Sequence, residues 1–252
     1  MSREEFTTAA ADFPDPFHLM IRESVESTND EVHSLAKNGA PHGRIVLAER
    51  QTAGRGRRGA AWFAPTGESL AFSILLRPTE AKTLWPRLAL ATGLAVTEAI
   101  ESFGPQVGFK WPNDVWIGAR KVAGILVEAG ANFAVVGIGL NVNTTEFPPE
   151  VAKIATSLQM ETGQAFSRAE VMAVVIRRFS IRSRQIGPDF PELISTVRQR
   201  CVLTGQRVSL ITAGEARKGT VEGIADSGEL LFRSEKGLER LIQADEVRLL
   251  LS

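Results

Sequence analysis

Short apolar runs alternate with helically spaced apolar residues from residue 17 to residue 200. The runs at 44–49 and 69–76 are apolar at most positions, which is typical of buried strands. The segment from 167 opens with Ser167-x-x-Glu170, the pattern of a helix capping box. We predict strands at 17–23, 44–49 and 69–76, helices at 84–103, 167–185 and 191–200, and a helix that begins near Thr28 and ends before Gly39.

Four further apolar runs follow one another closely between residues 107 and 140. Their connections include the short Gly118-Ala119 and Gly130-Ala131-Asn132 turns. Consecutive strands that are joined tightly pair antiparallel. We therefore expect an α+β fold whose mixed, largely antiparallel sheet is backed by helices, with these strands at 107–111, 115–117, 121–129 and 133–140.

The pattern changes near Cys201, where short alternating runs separated by turn residues begin. Strands are expected at 207–211, 219–224, 230–233 and 238–242. Evenly spaced short strands indicate a small β barrel or sandwich. At the other end, the Asp12–Pro16 segment discourages regular structure, so residues 1–16 are expected to be a loose arm. The predicted division is an arm at 1–20, a large domain at 21–200 and a small β domain at 201–252.

The composition argues against several classes of protein, among them dedicated nucleic-acid-binding proteins and disulfide-rich proteins. The chain has 252 residues, 44% of them hydrophobic, and its 29 basic and 29 acidic residues leave no net charge. A dedicated nucleic-acid-binding protein normally has a basic excess. One cysteine and three histidines argue against a disulfide framework or a zinc site. There is no long apolar run and no signal-like N-terminus, so a cytoplasmic protein that does not contact membranes is expected.

Residues 51–59, Gln-Thr-Ala-Gly-Arg-Gly-Arg-Arg-Gly, are called the Gly-Arg loop below. Glycine lets a backbone approach a ligand closely, and arginine pairs with carboxylate or phosphate. The loop also matches G-x-G-x-x-G, but a dinucleotide site needs a helix directly afterwards, and Pro65 and Gly67 argue against one. An anion-binding loop is therefore favoured over a dinucleotide site or a merely solvated loop.

Polar residues elsewhere have both a structural and a functional interpretation. Ser27, Thr28 and Asn29 suit helix capping, with Thr28 and Glu31 as a capping box, but they also suit a ligand at a helix N-terminus. Lys121 begins an expected strand and is either an edge lysine or a ligand-binding cation.

The expected strand that ends near residue 140 has an unusual composition. Gly137 and Gly139 interrupt an apolar run, which indicates that another group approaches the backbone there. Asn141 and Asn143 alternate with Val142 and point to one side, although turn formation would also explain them.

Four stretches in this order resemble the biotin protein ligases: 51–59, 110–114 (Lys-Trp-Pro-Asn-Asp), 121–126 (Lys-Val-Ala-Gly-Ile-Leu) and 137–143 (Gly-Ile-Gly-Leu-Asn-Val-Asn). The Ser27-Thr28-Asn29 triplet also falls where that family has it. The resemblance covers roughly residues 21–200 and implies a sheet related to class II aminoacyl-tRNA synthetases, followed by an SH3-like barrel.

The resemblance also implies a reaction. Biotin and ATP, with Mg²⁺ carried by the ATP, would give biotinyl-5′-AMP and pyrophosphate. A lysine of a biotin carboxyl carrier protein would then take the biotinyl group. A lipoate-protein ligase shares this logic and is the nearest alternative, while a non-catalytic binding module and an inactive biotin sensor are further ones.

Residue roles follow from the same resemblance. The catalytic candidates are Lys121, Arg57 and Arg55. The biotin-binding candidates are Ser27, Thr28, Asn29, Gln51, Gly54, Arg55, Gly56, Arg57, Lys121 and Gly124. The ATP- or adenylate-binding candidates are Arg57, Trp62, Lys110, Asn113, Asp114, Lys121 and Asn141. The Gly-Arg loop is also expected to close over biotinyl-AMP and keep water away from it.

Some members of this family carry an N-terminal helix-turn-helix domain. About twenty residues precede the first motif here, too few for such a domain, so DNA binding is not expected. Both a monomer and a homodimer built through the central sheet remain open.

Overall fold

The computed structural model of the chain describes residues 3–212 and 214–250. Residues 1–2, 213 and 251–252 lie outside it. They are the start of the predicted arm, one residue within the small domain and the end of the small domain. Two sheets and six α-helices are present in the described part, together with a few short 3₁₀ turns. The α-helices are α1 Arg3–Ala10, α2 Thr28–Lys37, α3 Arg87–Glu101, α4 Leu158–Thr162, α5 Arg168–Arg182 and α6 Phe190–Arg200.

The first sheet has seven strands in the order β1-β2-β3-β7-β6-β5-β4. Its strands are β1 His18–Val25, β2 Arg44–Gln51, β3 Ser69–Leu76, β4 Val107–Lys110, β5 Asp114–Ile117, β6 Arg120–Ala129 and β7 Ala134–Asn141. Only β1 and β2 pair in parallel, and the other neighbours are antiparallel. The predicted mixed, largely antiparallel sheet is therefore confirmed.

The two faces of this sheet have different roles. On β3, Leu70, Phe72 and Ile74 enter the main core with α3 and α5, as expected for a strand whose alternate side chains share one face. Leu75 points the other way and packs with Val32 of α2. The face that carries α2 is also the face on which the large cavity described below opens.

The second sheet has five antiparallel strands in the order β11-β10-β9-β8-β12. They are β8 Arg207–Thr212, β9 Glu215–Ile224, β10 Leu230–Ser234, β11 Gly237–Leu241 and β12 Glu246–Leu249. A small β domain is thus confirmed. Its last strand was not predicted, and neither was α4. The position of the domain boundary near residue 200 stays a prediction.

The expectation of a loose N-terminal arm is wrong for the described residues. Arg3–Ala10 form α1, and Phe6 is only 1% exposed. Its ring lies 5.2 Å from the guanidinium carbon of Arg168 on α5, and Arg168 in turn pairs with Glu49 at 3.0 Å. The prolines that argued against structure lie beyond this helix, and burial of one aromatic ring provides the tertiary contact that a short helix needs.

The described residues contain no helix long and apolar enough to cross a membrane.

Candidate active site

A cavity of about 870 Å³ opens on the α2 face of the large sheet. It is enclosed by the N-terminus of α2, the Gly-Arg loop with Trp62, strands β3 to β7 of the sheet, the 150–154 segment and the small domain. The last contributes residues 244–249, which include β12. Segments that are far apart in sequence therefore share one concave site, which is the usual form of a small-molecule site.

Two glycines and a tryptophan form the floor of the cavity. Gly124 on β6 and Gly139 on β7 are register partners. The Trp62 indole lies on them, and a Cβ on Gly139 would overlap its ring. This confirms the expectation that a group approaches the glycine-interrupted strand closely. Trp62 Nε1 is buried and has no hydrogen-bond partner among the described residues.

The N-terminus of α2 differs from the expected capping box. Ser27 is the N-cap residue but makes no side-chain capping bond. Thr28 is bound instead to Gln51, whose Oε1 accepts from Thr28 N at 2.7 Å and from Thr28 Oγ1 at 3.1 Å. Glu31 pairs with Arg22 at 2.9 Å. The predicted Thr28–Glu31 capping box is therefore wrong, because tertiary partners take both side chains.

Asn29 is fixed at both ends of its amide. Nδ2 donates to Glu128 Oε2 at 2.5 Å, and Oδ1 accepts from Ser73 Oγ at 2.6 Å. A Cβ on Gly137 would overlap Asn29 Oδ1, so this glycine too is required by a close approach. Ser73 and Glu128 were missed from the sequence because each meets Asn29 only through long-range pairing of strands.

Arg55 lines the cavity but is held by two carboxylates of the protein. Its guanidinium donates to both oxygens of Asp30, at 2.6 and 2.7 Å, and lies 3.3 Å from Glu128. The hydrogen bond with Asp30 raises the pKa of Arg55, and the same bond lowers the pKa of Asp30 below its usual range. The charge of Arg55 is therefore already balanced within the protein. Its catalytic role stays a prediction that this pairing does not favour.

Arg57 bridges the large and the small domain. Its Nη1 donates to Asn113 Oδ1 at 3.2 Å, and its Nη2 donates to the Ala244 carbonyl at 2.9 Å. The side chain is half-buried, and burial lowers the pKa of its guanidinium. The next residue, Arg58, forms an ion pair with Asp245. Two consecutive arginines of the loop thus contact two consecutive residues of the small domain.

Lys121 projects into the cavity from a firmly held backbone. Lys121 N donates to Ile154 O at 2.7 Å, and Lys121 O accepts from Thr156 N at 2.9 Å. Its Nζ lies 2.6 Å from Asp114 Oδ1 and 5.4 Å from the Trp62 ring centre. The backbone contacts fix the position of the Lys121 Cα, while the flexible side chain can exchange one carboxylate partner for another.

The Lys-Trp-Pro-Asn-Asp stretch lines the cavity next to Lys121. Lys110 Nζ lies 4.2 Å from the Trp116 ring centre, and burial lowers the pKa of this lysine. Asn113 Nδ2 donates to Ile125 O at 2.6 Å. Trp111 Nε1 donates to Gly228 O of the small domain at 3.0 Å. This stretch therefore forms a wall of the site and a second junction between the domains.

Two of the predicted residues do not line the cavity, although all the others do. A Cβ on Gly54 would lie 2.9 Å from Gln51 Nε2 and 3.2 Å from Trp62 O, so Gly54 allows tight packing within the loop. Asn141 is buried, and its Nδ2 donates to Thr156 O at 2.9 Å. The ligand contacts predicted for both residues remain predictions.

Within residues 3–212 and 214–250, no group of three or more His, Cys, Asp or Glu side chains could hold a metal ion. Asp114 brings one carboxylate to the part of the cavity next to Lys121, and Asn113 beside it offers an amide oxygen. These two residues could complement a divalent cation that arrives already bound to a nucleotide. They are too few to form a metal site of their own.

Family models match both parts of the chain. Residues 21–143 match the biotin/lipoate A/B protein ligase family, and residues 203–247 match the biotin protein ligase C-terminal domain. The first match covers most of the large sheet, which forms the cavity, and the second covers most of the small domain.

Individual relatives and a solved structure are similar to this chain over most of its length. The bifunctional ligase/repressor BirA of Bacillus spizizenii is 34% identical over 90% of this chain and 73% of its own length. A biotin–[acetyl-CoA-carboxylase] ligase of Paracoccus denitrificans is 34% identical over 88% of this chain and 96% of its own. The solved biotin protein ligase of Aquifex aeolicus, in complex with biotin and ATP, has a TM-score of 0.83 and 33% identity, covering 92% and 99% of the two chains.

Proposed function

Since the chain belongs to the biotin protein ligase family, we propose that it activates biotin with ATP and transfers the biotinyl group to a lysine of a biotin carboxyl carrier domain. The observation that carries the proposal is the convergence of the Gly-Arg loop, Lys121 and β12 on one cavity of about 870 Å³. The first half-reaction must hold a bicyclic ring, an acyl tail and a nucleotide together. A cavity with polar walls and an apolar floor suits that combination.

The ureido ring of biotin is neutral and needs donors and acceptors at fixed positions. The N-terminus of α2 offers the Ser27 hydroxyl, which makes no capping bond, beside the Thr28–Gln51 pair. Asn29 is held rigidly by Ser73 and Glu128. Fixed groups of this kind lose little entropy on binding, so they favour a ligand of matching geometry. The Trp62 indole, which covers Gly124 and Gly139, would contact the apolar ring and tail.

In the first step, an oxygen of the biotin carboxylate attacks the α-phosphorus of ATP. A carboxyl–phosphate bond forms, the bond between the α-phosphorus and the bridging oxygen breaks, and pyrophosphate leaves. Nucleophile and phosphate are both anionic, so their repulsion must be offset by positive groups. We assign this role to Lys121 and Arg57, because Lys121 has one carboxylate partner, Asp114, and Arg57 has none among the described residues. Two carboxylates, by contrast, bind Arg55.

In the second step, the ε-amine of the carrier lysine attacks the acyl carbon. A carbon–nitrogen bond forms, the bond between the acyl carbon and the oxygen that bridges to phosphorus breaks, AMP leaves with that oxygen, and the amine loses a proton. The mixed anhydride must survive until the carrier arrives. The Gly-Arg loop, which reaches across the cavity to Ala244, is the part of the site that would exclude water in the meantime.

Magnesium would enter with ATP and supply charge neutralisation at the phosphates. Asp114 and Asn113 are the residues that would complement it, because their oxygen-bearing side chains line the cavity beside Lys121. The carrier domain belongs to a carboxylase. The choice between monomer and homodimer stays open, and the absence of DNA binding expected from the sequence stays a prediction.

The test is pyrophosphate release from the purified chain with biotin and Mg·ATP, without a carrier. A single stoichiometric burst is expected, with biotinyl-5′-AMP retained in the protein fraction and detected by mass spectrometry. Lipoate and octanoate in place of biotin provide the control for substrate class. A burst with lipoate but not with biotin would reassign the substrate, and no burst with any of the three acids would contradict ligase activity.

A further inference from the structure

The Gly-Arg loop and the small domain are joined at two adjacent points. Arg57 Nη2 donates to the Ala244 carbonyl at 2.9 Å, across 187 residues of sequence, and Arg58 pairs with Asp245. We propose that this pair of contacts is a latch through which the small domain positions Arg57 and holds the Gly-Arg loop closed. Asp245 and Arg58 are positioning residues in this arrangement, because they act on the site through Arg57.

The small-domain side of the latch is rigid. Asp245 N donates to Ile211 O at 2.7 Å, and Asp245 Oδ2 accepts from Gly214 N at 3.3 Å. The Asp245 side chain is only 14% exposed, and Ala244 is 1% exposed. An ion pair between two freely moving surface side chains contributes little, but here one partner is fixed before the other arrives. Asp245 is therefore an anchor against which a mobile loop can be fixed.

The loop side of the latch shows an independent sign of constraint. Arg58 has φ 57° and ψ 27°, and among the described residues no other non-glycine has a positive φ. A residue with a side chain adopts this left-handed conformation at a cost, which the surrounding structure must offset. The pair with Asp245 is the contact that holds Arg58 in place. The left-handed conformation of Arg58 is disfavoured by itself and is stabilised by a contact with the other domain. This is expected of a loop that has an open and a closed state.

The latch acts on the site through Arg57. The same guanidinium that reaches Ala244 also binds Asn113, whose neighbour Asp114 pairs with Lys121. The small domain thus reaches the reacting groups through a continuous path of contacts. Its catalytic consequence rests on the proposed function: with the latch open, the cation facing the phosphate would be displaced and the acyl-adenylate would be exposed to water.

Hydrogen exchange without any ligand tests the latch directly. Two amides report loop closure, since Gly56 N donates to Ala60 O at 2.6 Å and Trp62 N donates to Gly54 O at 3.0 Å. In Asp245→Asn we expect exchange of residues 54–62 to accelerate about tenfold, because the loop opens locally more often. Arg58→Gln should have the same effect, and it changes a side chain that is half exposed.

Matched variants separate the latch from a general loss of stability. Glu239→Gln removes an ion pair of the same domain, with Arg217 at 2.7 Å, but does not contact the loop. It should leave exchange of residues 54–62 unchanged. Asp245→Glu, which keeps the charge, should restore most of the protection. The double variant Arg58→Gln/Asp245→Asn should accelerate exchange no more than either single variant, since both remove the same contact.

A second readout connects the latch to the reaction. Asp245→Asn and Arg58→Gln should release biotinyl-5′-AMP from the protein about tenfold faster than the parent chain, while the affinity for biotin alone is retained. Wild-type exchange at residues 54–62 in both variants would overturn the latch even if the parent chain makes biotinyl-5′-AMP. A parent chain that makes no adenylate would contradict the proposed function, and the exchange measurement would still decide the latch.

Discussion

Lys121 Nζ lies 2.6 Å from Asp114 Oδ1, across the neighbouring strands β6 and β5. The cation proposed to offset the charges of the biotin carboxylate and the phosphate is therefore already bound to a carboxylate of the protein. Substrate binding must exchange one partner for the other, and the displaced Asp114 then becomes free for a cation that arrives with the nucleotide. The pair thus links the biotin and ATP parts of the site.

Removing the charge of Lys121 should abolish most of the first half-reaction. In Lys121→Met we expect biotin-dependent pyrophosphate release to slow by about 10²–10³-fold, as when one preorganised electrostatic contact to a transition state is lost. Single-turnover measurement with saturating Mg·ATP checks this. Lys218→Met, an exposed lysine of β9, is the control and should retain the parent rate. A loss of less than threefold at Lys121 would contradict the role assigned to it.

Asp114→Asn should have opposite effects on biotin binding and on the reaction with ATP. Without ATP, biotin should bind about two- to fivefold more tightly, because the competing carboxylate is gone and a partly exposed ion pair contributes at most about 1 kcal/mol. With ATP, pyrophosphate release should slow, because an oxygen donor near the phosphates has lost its charge. Calorimetry with biotin alone measures the first effect, with the exposed Asp189→Asn as control. Unchanged or weaker biotin binding would show that Asp114 does not compete.

Gly139→Ala should displace Trp62 from the cavity floor, because the added methyl group would overlap the indole. Overpacking of this kind costs about 1–3 kcal/mol, and biotin affinity should fall as the floor is distorted. Urea unfolding and biotin titration measure the two effects. Trp62→Leu in the same chain makes room for the methyl group, so the double variant should recover stability but not affinity. Full stability in Gly139→Ala alone would show that the glycine is not required there.

The Asp30–Arg55 pair should give a defined pH dependence. Because the pKa of Asp30 is lowered in the folded chain, its contribution to stability is complete above pH 3.8, its ordinary pKa, and is lost as the pH falls through the lower folded value. The stability difference between the parent chain and Asp30→Asn should therefore be constant at neutral pH and vanish at the acidic end. Urea unfolding from pH 7 to pH 2.5 checks this, with the exposed Asp189→Asn as control. A difference that persists at pH 2.5 would contradict the assignment.

The sequence predicts much of the large sheet because its signals are local. The apolar run at 69–76 predicts β3 at its observed bounds, and tight turns predict the antiparallel β4–β7 order. Two glycines in an apolar run correctly predict a close approach, but they do not identify Trp62 as the approaching group. Local patterns therefore give the elements and some of the positions that matter.

The features that the sequence did not predict depend on contacts between residues far apart in the chain. Phe6 stabilises α1 only because α5 presents Arg168 beneath it. The Thr28–Glu31 pattern fits a capping box, but Gln51 and Arg22 compete for the two side chains once β1 and β2 are in place. Arg55 and Arg57 are the same residue type in the same loop, yet Arg55 pairs with two carboxylates, whereas in the described part of the chain Arg57 binds only the neutral oxygens of Asn113 and Ala244. Their different partners arise from the fold.

The contact of Arg57 with Ala244 also has a consequence for synthesis of the chain. A ribosome makes the Gly-Arg loop 187 residues before its partner. At roughly 5–20 residues per second, on the order of 10–40 s pass between the two. Within that interval the last strand of the large sheet, β7, is completed at Asn141, while the wall formed by β12 does not yet exist. A nascent chain could therefore meet biotin before it can enclose an activated acyl group, and only the later β strands give it the means to retain one.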